Sequence, residues 1–276
     1  MIRILEGKDR DNALGFLDRD HELNLVMMYD IIHFGLEDHG LPFQGRYYGA
    51  FREGELGGMA ALYNLGALFI YTPDQDLAPA LEDHIAALEE KPRFVIGRTE
   101  WAGPLLEKMA EGGLNPQSWE EQEYMVLTPE LFRPRFATEA RFAEPHDLER
   151  LMQLNRDFQI EYFGGLTEAE EELGKMADVR MQDAGIAVAV LDGKIVSKAE
   201  IMVRTSKAAL IGGVYTVPGQ RGKGFSFACM SLLCEGILEN IGRACLNVAR
   251  ENTPAQRVYR GIGFERVCDY LMAHFV

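Results

Sequence analysis

Short apolar segments alternate with helical patterns along the second half of the chain. Residues 186–191 and 195–203 are rich in apolar and β-branched residues, and the Asp192-Gly193 pair between them predicts a hairpin. The uncharged run at 208–217 predicts a buried strand. Beyond it, apolar residues recur at helical spacing on one face: Met230, Leu233, Cys234, Ile237, Leu238 and Ile241. This order of elements predicts a mixed α/β sheet.

Further elements are predicted on either side of that group. In chain order they are a short strand at 141–143, a helix at 145–163, an acidic helix at 167–183, a strand at 244–248, a short helix from Pro254 and a final strand at 266–275. Proline fits the first turn of a helix because the N–H that it lacks has no partner there. The second half therefore has the elements of a complete domain.

A glycine-rich basic turn separates the strand at 208–217 from the helix that follows. Gly222 and Gly224 carry no Cβ atom, so a ligand can approach the backbone closely. The amide groups from Arg221 to Ser226 can then point at one anion, and the helix dipole adds partial positive charge. The turn predicts a phosphate site, although glycines that only permit tight packing are the alternative interpretation.

A second motif begins 26 residues after Ser226. It consists of Asn252, Ala255, Tyr259, Gly263 and Phe264 in the order Asn-x-x-Ala-x-x-x-Tyr-x-x-x-Gly-Phe. Together with Gln220-Arg-Gly-Lys-Gly224, it resembles the GNAT superfamily of acyl-CoA-dependent N-acyltransferases over roughly residues 139–276. Two linked motifs are more specific than either alone.

The resemblance implies that acyl-CoA, most simply acetyl-CoA, is the cosubstrate and that no metal takes part. The implied cofactor-binding residues are Tyr215, Thr216, Val217, Gln220, Arg221, Gly222, Lys223, Gly224, Phe225, Ser226, Asn252, Ala255 and Tyr259. Tyr259 is the implied acid for the departing thiolate, with packing as its alternative role. A backbone amide near 215–217 is the candidate donor to the carbonyl oxygen if a bulge splays that strand.

The general base is left open by the sequence. Many GNAT enzymes use a glutamate from the central strands, and Glu200 and Glu251 are available here. We take Glu200 as the candidate base, with a water relay as the alternative. Both glutamates are also interpretable as ordinary surface charges.

The sequence of the first half resembles a degenerate copy of the second half. The hairpin around Gly54 matches that around Gly193 at an offset of 193 − 54 = 139, and Tyr71 in 68–73 matches Tyr215 at 215 − 71 = 144. Residues 94–100 similarly match 246–251. After Pro73, however, Asp74 and Asp76 replace the glycine pair, and their charge would repel a pyrophosphate. We therefore expect one cofactor site, in the second half.

The fold class implied by this duplication is α/β (α+β), with two GNAT-like mixed-sheet domains in tandem. Each has a central, mostly antiparallel sheet with helices on both faces. The predicted domains are 1–130, a degenerate copy without a phosphate loop, and 131–276, the catalytic copy. Two prolines interrupt regular structure between them, at 128–135.

The composition of the chain limits the kinds of partner that we expect the protein to bind. The net charge of −15 argues against nucleic acid and favours a cationic or amine-bearing substrate. The opening residues lack the apolar core of a signal peptide and no run reaches the roughly 20 apolar residues of a membrane helix, so we expect a cytoplasmic protein without membrane partners. The four cysteines, all in the second half, lack metal or disulfide spacing, and His33 and His39 fit no ligand pattern.

The leading hypothesis is transfer of an acetyl or related acyl group from acyl-CoA to a primary amine by direct attack in a ternary complex. The amine belongs to a small molecule or a peptide, bound in a cleft that the first domain helps to shape. Tyr29, Phe34, Tyr162 and Phe163 either border this cleft or fill cores. The alternatives are a non-catalytic module that binds CoA or an amino-acid-like ligand, and an aminoacyl or thiol-cofactor transferase on the same fold. The oligomeric state is open.

Overall fold

The computed structural model describes residues 1–136, 138–165 and 185–275. The acidic helix expected at 167–183 lies outside the described residues, as does the side chain of Phe163. The strands, in chain order, are β1 (Ile2–Ile4), β2 (Gly45–Arg52), β3 (Glu55–Tyr63), β4 (Ala67–Tyr71), β5 (Phe94–Arg98), β6 (Ser118–Leu127), β7 (Ala140–Phe142), β8 (Ile186–Leu191), β9 (Lys194–Arg204), β10 (Ala209–Thr216), β11 (Ala244–Ala249) and β12 (Glu265–His274).

The helices of the described residues are numbered in the same way. They are α1 (Arg10–Leu17), α2 (Leu25–Phe34), α3 (Ala78–Ala86), α4 (Thr99–Glu111), α5 (Leu148–Phe163), α6 (Phe225–Asn240) and α7 (Thr253–Ile262). Short 3-10 turns precede α5 at Pro145–Asp147 and follow β10 at Pro218–Gln220. The elements predicted outside 167–183 are present in the predicted order.

Contacts divide the chain into two compact units. Unit 1 comprises Met1–Met125, Asn247–Asn252 and Arg266–Val276, and unit 2 comprises Val126–Leu246 and Thr253–Glu265. The units are interleaved along the chain, because unit 1 contains the end of β11 and nearly all of β12. The domain ranges 1–130 and 131–276 stay a prediction.

Unit 1 has a mixed sheet whose strands follow the order β1-β2-β3-β4-β5-β12-β6. β1 to β4 pair antiparallel, β4 and β5 pair parallel, and β12 pairs antiparallel with β5 from Tyr270 opposite Arg98 to His274 opposite Phe94. Leu271, Ala273 and Phe275 are buried in the core of this unit. The last strand of the chain therefore completes the sheet that the first half begins.

Unit 2 has a smaller mixed sheet in the order β11-β10-β9-β8-β7. β7 to β10 pair antiparallel, and β10 pairs parallel with β11. Helices cover both faces, since α5 packs against β10 while α6 packs against β8 and β9. Neighbouring residues of β9 meet different helices: Lys198 lies over the ring of Phe158 in α5, and Ser197 is hydrogen-bonded to Cys229 of α6.

Matching local structures confirm that the two halves share a plan. Each predicted hairpin turns on two residues with positive φ, Glu53 and Gly54 in the first copy and Asp192 and Gly193 in the second. This conformation suits the twist of paired strands. The fold class predicted from the sequence, a tandem of mixed α/β sheets with helices, is confirmed.

A buried carboxylate lies in the core of unit 1. Asp30 of α2 is 5% exposed and accepts a hydrogen bond from Tyr63, whose hydroxyl accepts another from Tyr47 at 3.3 Å. Burial raises the pKa of Asp30 to about 7, because the charged form is poorly solvated there. The folded protein thus holds a proton at pH values where an unfolded chain has lost it.

The stability of the protein should therefore fall as the pH rises from about 4 to about 7, by at most about 4 kcal/mol from this group. Asp30→Asn removes the titration and keeps the acceptor for Tyr63, so its unfolding free energy should exceed that of the native protein at pH 8 and match it near pH 4. Denaturant unfolding across this range checks the difference. Asp11→Asn, at a side chain 99% exposed, is the matched control. Identical pH profiles for the native protein and Asp30→Asn would contradict the assignment.

Candidate active site

The glycine-rich turn opens α6 with exposed backbone donors. Gly222 and Gly224 have φ values of +77° and +87°, in the left-handed region that glycine tolerates. In the described chain, the N–H groups of residues 222–227 make no hydrogen bond to protein, and α6 has no side-chain cap. A Cβ atom at Gly222 would meet nothing within 4 Å. The turn is therefore a concave set of donors open to an anion.

The N–H of Arg221 does not join this set. It donates to the carbonyl oxygen of Pro218 at 3.3 Å, within the 3-10 turn. The predicted row of donors, from Arg221 to Ser226, is therefore displaced by one residue. Phe225 is buried, so its backbone faces the turn while its side chain packs inside.

Two cationic side chains flank the turn. Arg221 donates from Nε to the carbonyl oxygen of Thr216 at 2.9 Å and from Nη2 to Glu161 of α5 at 2.7 Å. Lys223 donates to the side-chain oxygen of Gln220 at 2.7 Å. The Arg221 guanidinium holds the pKa of Glu161 below its usual range. Both cations are thus held near the free amides before any ligand binds.

Glu161 was not predicted from the sequence, because its partners are remote in the chain. Besides Arg221, it accepts a hydrogen bond from the hydroxyl of Tyr215 at 3.3 Å. The Arg221 guanidinium also lies 5.6 Å from the centre of the Tyr215 ring. These contacts link the end of α5 to the end of β10 and to the turn. Burial, with the charge of Glu161, raises the pKa of Tyr215, so this hydroxyl stays a donor.

The strand before the turn contains a β-bulge. Gly213 and Val214 of β10 both face Ala199 of β9, and Gly213 has a φ of +55°. Among the described residues, β10 pairs with β11 only at Ala209 and Leu210. A bulge increases the local twist of a strand, which separates it from a neighbour. The second half of β10 therefore has backbone groups on its β11 side without a strand partner.

Other groups at the end of β10 are used within the protein. The hydroxyl of Ser197 donates to the carbonyl oxygen of Tyr215 at 3.0 Å and lies 2.7 Å from the hydroxyl of Thr216. The N–H of Val217 donates to the carbonyl oxygen of Val196 at 3.0 Å. These three predicted residues are thus positioned by β9. The amide of Val217 is already used, which leaves the amides of β10 before it as donors to a ligand.

Tyr259 lies inside unit 2 on α7. It is 7% exposed and packs edge-to-face against Phe264, with ring centres 6.0 Å apart. Within the residues the structure describes, its hydroxyl makes no hydrogen bond. Burial raises the pKa of Tyr259 well above its usual value, so the hydroxyl keeps its proton at neutral pH. Such a group can act as a proton donor.

The helix that carries Tyr259 packs against the helix that follows the turn. A Cβ atom at Gly261 of α7 would lie 2.8 Å from the Phe227 ring of α6, so glycine permits this approach. At the start of α7, the N–H of Asn252 donates to the carbonyl oxygen of Ala249 at 3.0 Å, and Ala255 lies half-buried in the first turn. The second predicted motif therefore forms the turn and helix after β11.

Glu200 is buried on β9. It is 3% exposed, and its Oε1 accepts a hydrogen bond from Nζ of Lys198 at 2.5 Å. Its role as general base stays a prediction, and a carboxylate so engaged would reach an amine only through water. Glu251, the other candidate, lies exposed just beyond β11.

The corresponding turn of the first copy is occupied by its own carboxylates. Oδ1 of Asp74 accepts the N–H of Asp76 at 3.0 Å, and Arg52 pairs with Asp74 at 3.4 Å and with Asp76 at 3.1 Å. A carboxylate thus takes a backbone donor that an anionic ligand would need. The geometry agrees with the expectation of one cofactor site, which stays a prediction.

The described residues contain no group of three or more His, Cys, Asp or Glu side chains able to hold a metal ion. His33 is hydrogen-bonded to the carbonyl oxygen of Tyr29 at 2.7 Å. Cys229, Cys234 and Cys245 are buried free thiols, and burial raises the pKa of Cys229 to about 12. No helix of the described chain is long and apolar enough to cross a membrane.

Three aromatic residues considered for the acceptor cleft are also placed by the structure. The ring of Tyr29 is tilted against that of His33, with centres 4.0 Å apart, and Phe34 stacks with Phe43 at 6.4 Å. Both lie in unit 1. Tyr162, in unit 2, is 39% exposed and stacks on Phe158 at 5.6 Å. Of these residues, only Tyr162 lies on the helix that also carries Glu161.

Comparison with known proteins agrees with this geometry. Residues 148–264 match the model of the acetyltransferase (GNAT) family, a span that contains β8 to β11, the turn and α7. None of the curated proteins compared with the sequence matches it. The matched segment, which is less than half of the chain, is thus similar to a GNAT acetyltransferase domain, and the predicted resemblance is confirmed.

Solved structures extend the likeness to the full chain. A GNAT acetyltransferase from Colwellia psychrerythraea is 14% identical, covers 100% of both chains and has a TM-score of 0.61. A GCN5-related N-acetyltransferase from Sphaerobacter thermophilus is 18% identical over 99% of this chain and 94% of its own, with a TM-score of 0.65. A tandem GNAT protein from the clavulanic acid biosynthesis pathway is 13% identical over 99% and 97%, with a TM-score of 0.60. At these identities the likeness establishes the fold, with a GNAT-like first half.

We expect CoA binding to depend on Arg221 and Lys223, because both side chains flank the glycine-rich turn. Replacing both by alanine removes two charges beside the free amides, so affinity for CoA should fall about tenfold or more. Isothermal titration calorimetry measures this, with thermal unfolding to confirm that the variant is folded. Arg52→Ala, which removes the cation paired with the corresponding turn of the first copy, should bind as the native protein does. Equal losses in the two variants would contradict the assignment.

Proposed function

We propose that the protein is an N-acetyltransferase that moves an acetyl group from acetyl-CoA directly to a primary amine. The observation that carries the proposal is the run of free N–H groups at residues 222–227 between Arg221 and α6. It suits the two negative charges of a diphosphate, and it lies within the segment that matches the GNAT model.

The backbone of β10 is proposed to bind the other end of the cosubstrate. Beyond Leu210 this strand has no partner on β11 in the described chain, so its backbone groups on that side remain able to hydrogen-bond the pantetheine amides. An amide near the bulge at Gly213 would donate to the thioester carbonyl oxygen as negative charge develops there. The end of β10 leads directly into the glycine-rich turn. One extended ligand could therefore contact the strand with its pantetheine arm and the turn with its diphosphate.

The proposed chemistry forms one bond and breaks another. The neutral amine nitrogen attacks the carbonyl carbon, the C–S bond breaks, and the thiolate takes the hydroxyl proton of Tyr259, which then regains a proton from solvent. The proton released by the amine returns to solvent through a base, for which Glu200 acting through water stays the candidate. Tyr259 suits its part because burial raises the pKa of its hydroxyl and so keeps the proton in place at neutral pH.

The acceptor is proposed to be the amine of a small molecule or peptide, with no role for nucleic acid or a membrane. The net charge of −15 supports a cationic acceptor, since an acidic surface attracts ammonium groups. A cytoplasmic location is part of the same proposal. The acceptor must lose a proton before it attacks, so turnover should rise with pH until the amine is neutral.

Tyr259→Phe tests the chemical step. The variant keeps the ring and loses the proton donor, so kcat should fall about 100-fold while affinity for acetyl-CoA changes little. Thiol release with a panel of amines measures kcat, and calorimetry measures affinity. Tyr270→Phe is the matched control, because Tyr270 is a tyrosine equally buried in unit 1.

Similar losses in Tyr259→Phe and Tyr270→Phe would contradict the acid role. Binding of acetyl-CoA without turnover for any amine would instead favour a module that holds the ligand without chemistry. Absence of binding by the native protein would favour a different donor, as in an aminoacyl transferase.

A further inference from the structure

The β-bulge of β10 lies opposite two charged residues. On β9, Glu200 pairs with Gly212 and Lys198 pairs with Tyr215, so these two residues occupy the last regular ladder positions on either side of the bulge. Residues two apart on a strand point to the same face. The two charges therefore meet across the single residue, Ala199, that faces the bulge.

The two side chains form a buried ion pair. Nζ of Lys198 lies 2.5 Å from Oε1 of Glu200, and the side chains are 1% and 4% exposed. Removing two charges from water costs several kcal/mol each, and an apolar pair of similar volume is often as stable or more so. Stability alone therefore gives little reason for an ion pair at this position.

The carboxylate of Glu200 fits against the bulge itself. A Cβ atom built on Gly213 would lie 2.0 Å from Oε1 of Glu200, which is far closer than atoms can approach. The carboxylate therefore takes the volume that any other residue at 213 would need. Only glycine combines this space with a φ of +55° at low cost.

The ammonium group of the pair also lies near α5. Nζ of Lys198 lies 6.0 Å from the centre of the Phe158 ring, and that ring packs edge-to-face against Tyr215 at 6.3 Å. Tyr215 in turn is hydrogen-bonded to Glu161, the partner of Arg221. The ion pair is thus connected through α5 to the residues that flank the glycine-rich turn.

We propose that Lys198 and Glu200 are positioning residues whose ion pair holds the β10 bulge in one conformation. The inference rests on the proposed function, since the bulge orients the backbone donors that would meet the thioester carbonyl. Neither side chain has to touch the amine for this role. Each residue fixes one side of the bulge, so loss of the pair should let the extra residue of β10 move along the strand.

The test uses a double variant, Lys198→Met/Glu200→Gln, in the full chain. It removes both charges at once and keeps both side-chain volumes, which avoids leaving one charge buried without a partner. Lys194→Met, at an exposed residue of the same strand, is the control. Hydrogen exchange of peptides covering 209–217 is measured without ligand, and kcat and acetyl-CoA affinity are measured in the same samples.

The double variant should exchange faster in β10 and lose about 10- to 100-fold in kcat while its acetyl-CoA affinity stays within about twofold of native. Lys194→Met should resemble the native protein in all three measurements. Unchanged exchange in β10, or unchanged kcat, would overturn the inference while leaving the proposed function intact. A native protein without turnover would contradict the proposed function, and with it this inference.

Discussion

The free N–H groups at the start of α6 are the feature on which the proposed function depends. A helix necessarily begins with donors that have no partner in the helix, and most proteins satisfy them with a side-chain cap. Here the N-cap residue is Gly224, which has no side chain to do so. The left-handed glycines also keep the approach clear of Cβ atoms. An anion is then the natural partner, with Arg221 and Lys223 beside it.

The two copies share much of the structure around this turn. Both have a hairpin, a third strand with a tyrosine at or next to its last residue, and a turn into a helix. The tyrosine hydroxyl contacts an acidic residue in each, Tyr71 with Asp20 at 2.7 Å and Tyr215 with Glu161 at 3.3 Å. In the first copy, however, Asp74 accepts a backbone donor of the turn. An internal carboxylate there competes with any anionic ligand and binds Arg52 instead.

Local signals in the sequence predicted much of this arrangement. The Asp192-Gly193 turn and the glycine-rich turn depend on residues close together in the chain. The sequence analysis named a bulge in β10 only as the condition under which a backbone amide could donate to the carbonyl oxygen. The Lys198–Glu200 pair was not predicted, because its place beside the bulge depends on strand register. The Arg221–Glu161 pair was not predicted, because its residues are 60 positions apart in the chain. The pairing of β12 with β5 is similarly remote. One long-range signal was available: Arg3 with Asp9 and Arg141 with Asp147 form the same bidentate pair, 141 − 3 = 138 positions apart.

The central claim is that only the second copy binds acyl-CoA, through the turn before α6. Hydrogen-exchange mass spectrometry of the native protein, with and without acetyl-CoA, tests it most directly because it reports both turns at once. We predict slower exchange in peptides covering 218–228 and no change in those covering 73–82. Protection of the first turn, or of neither turn despite saturating ligand, would contradict the account.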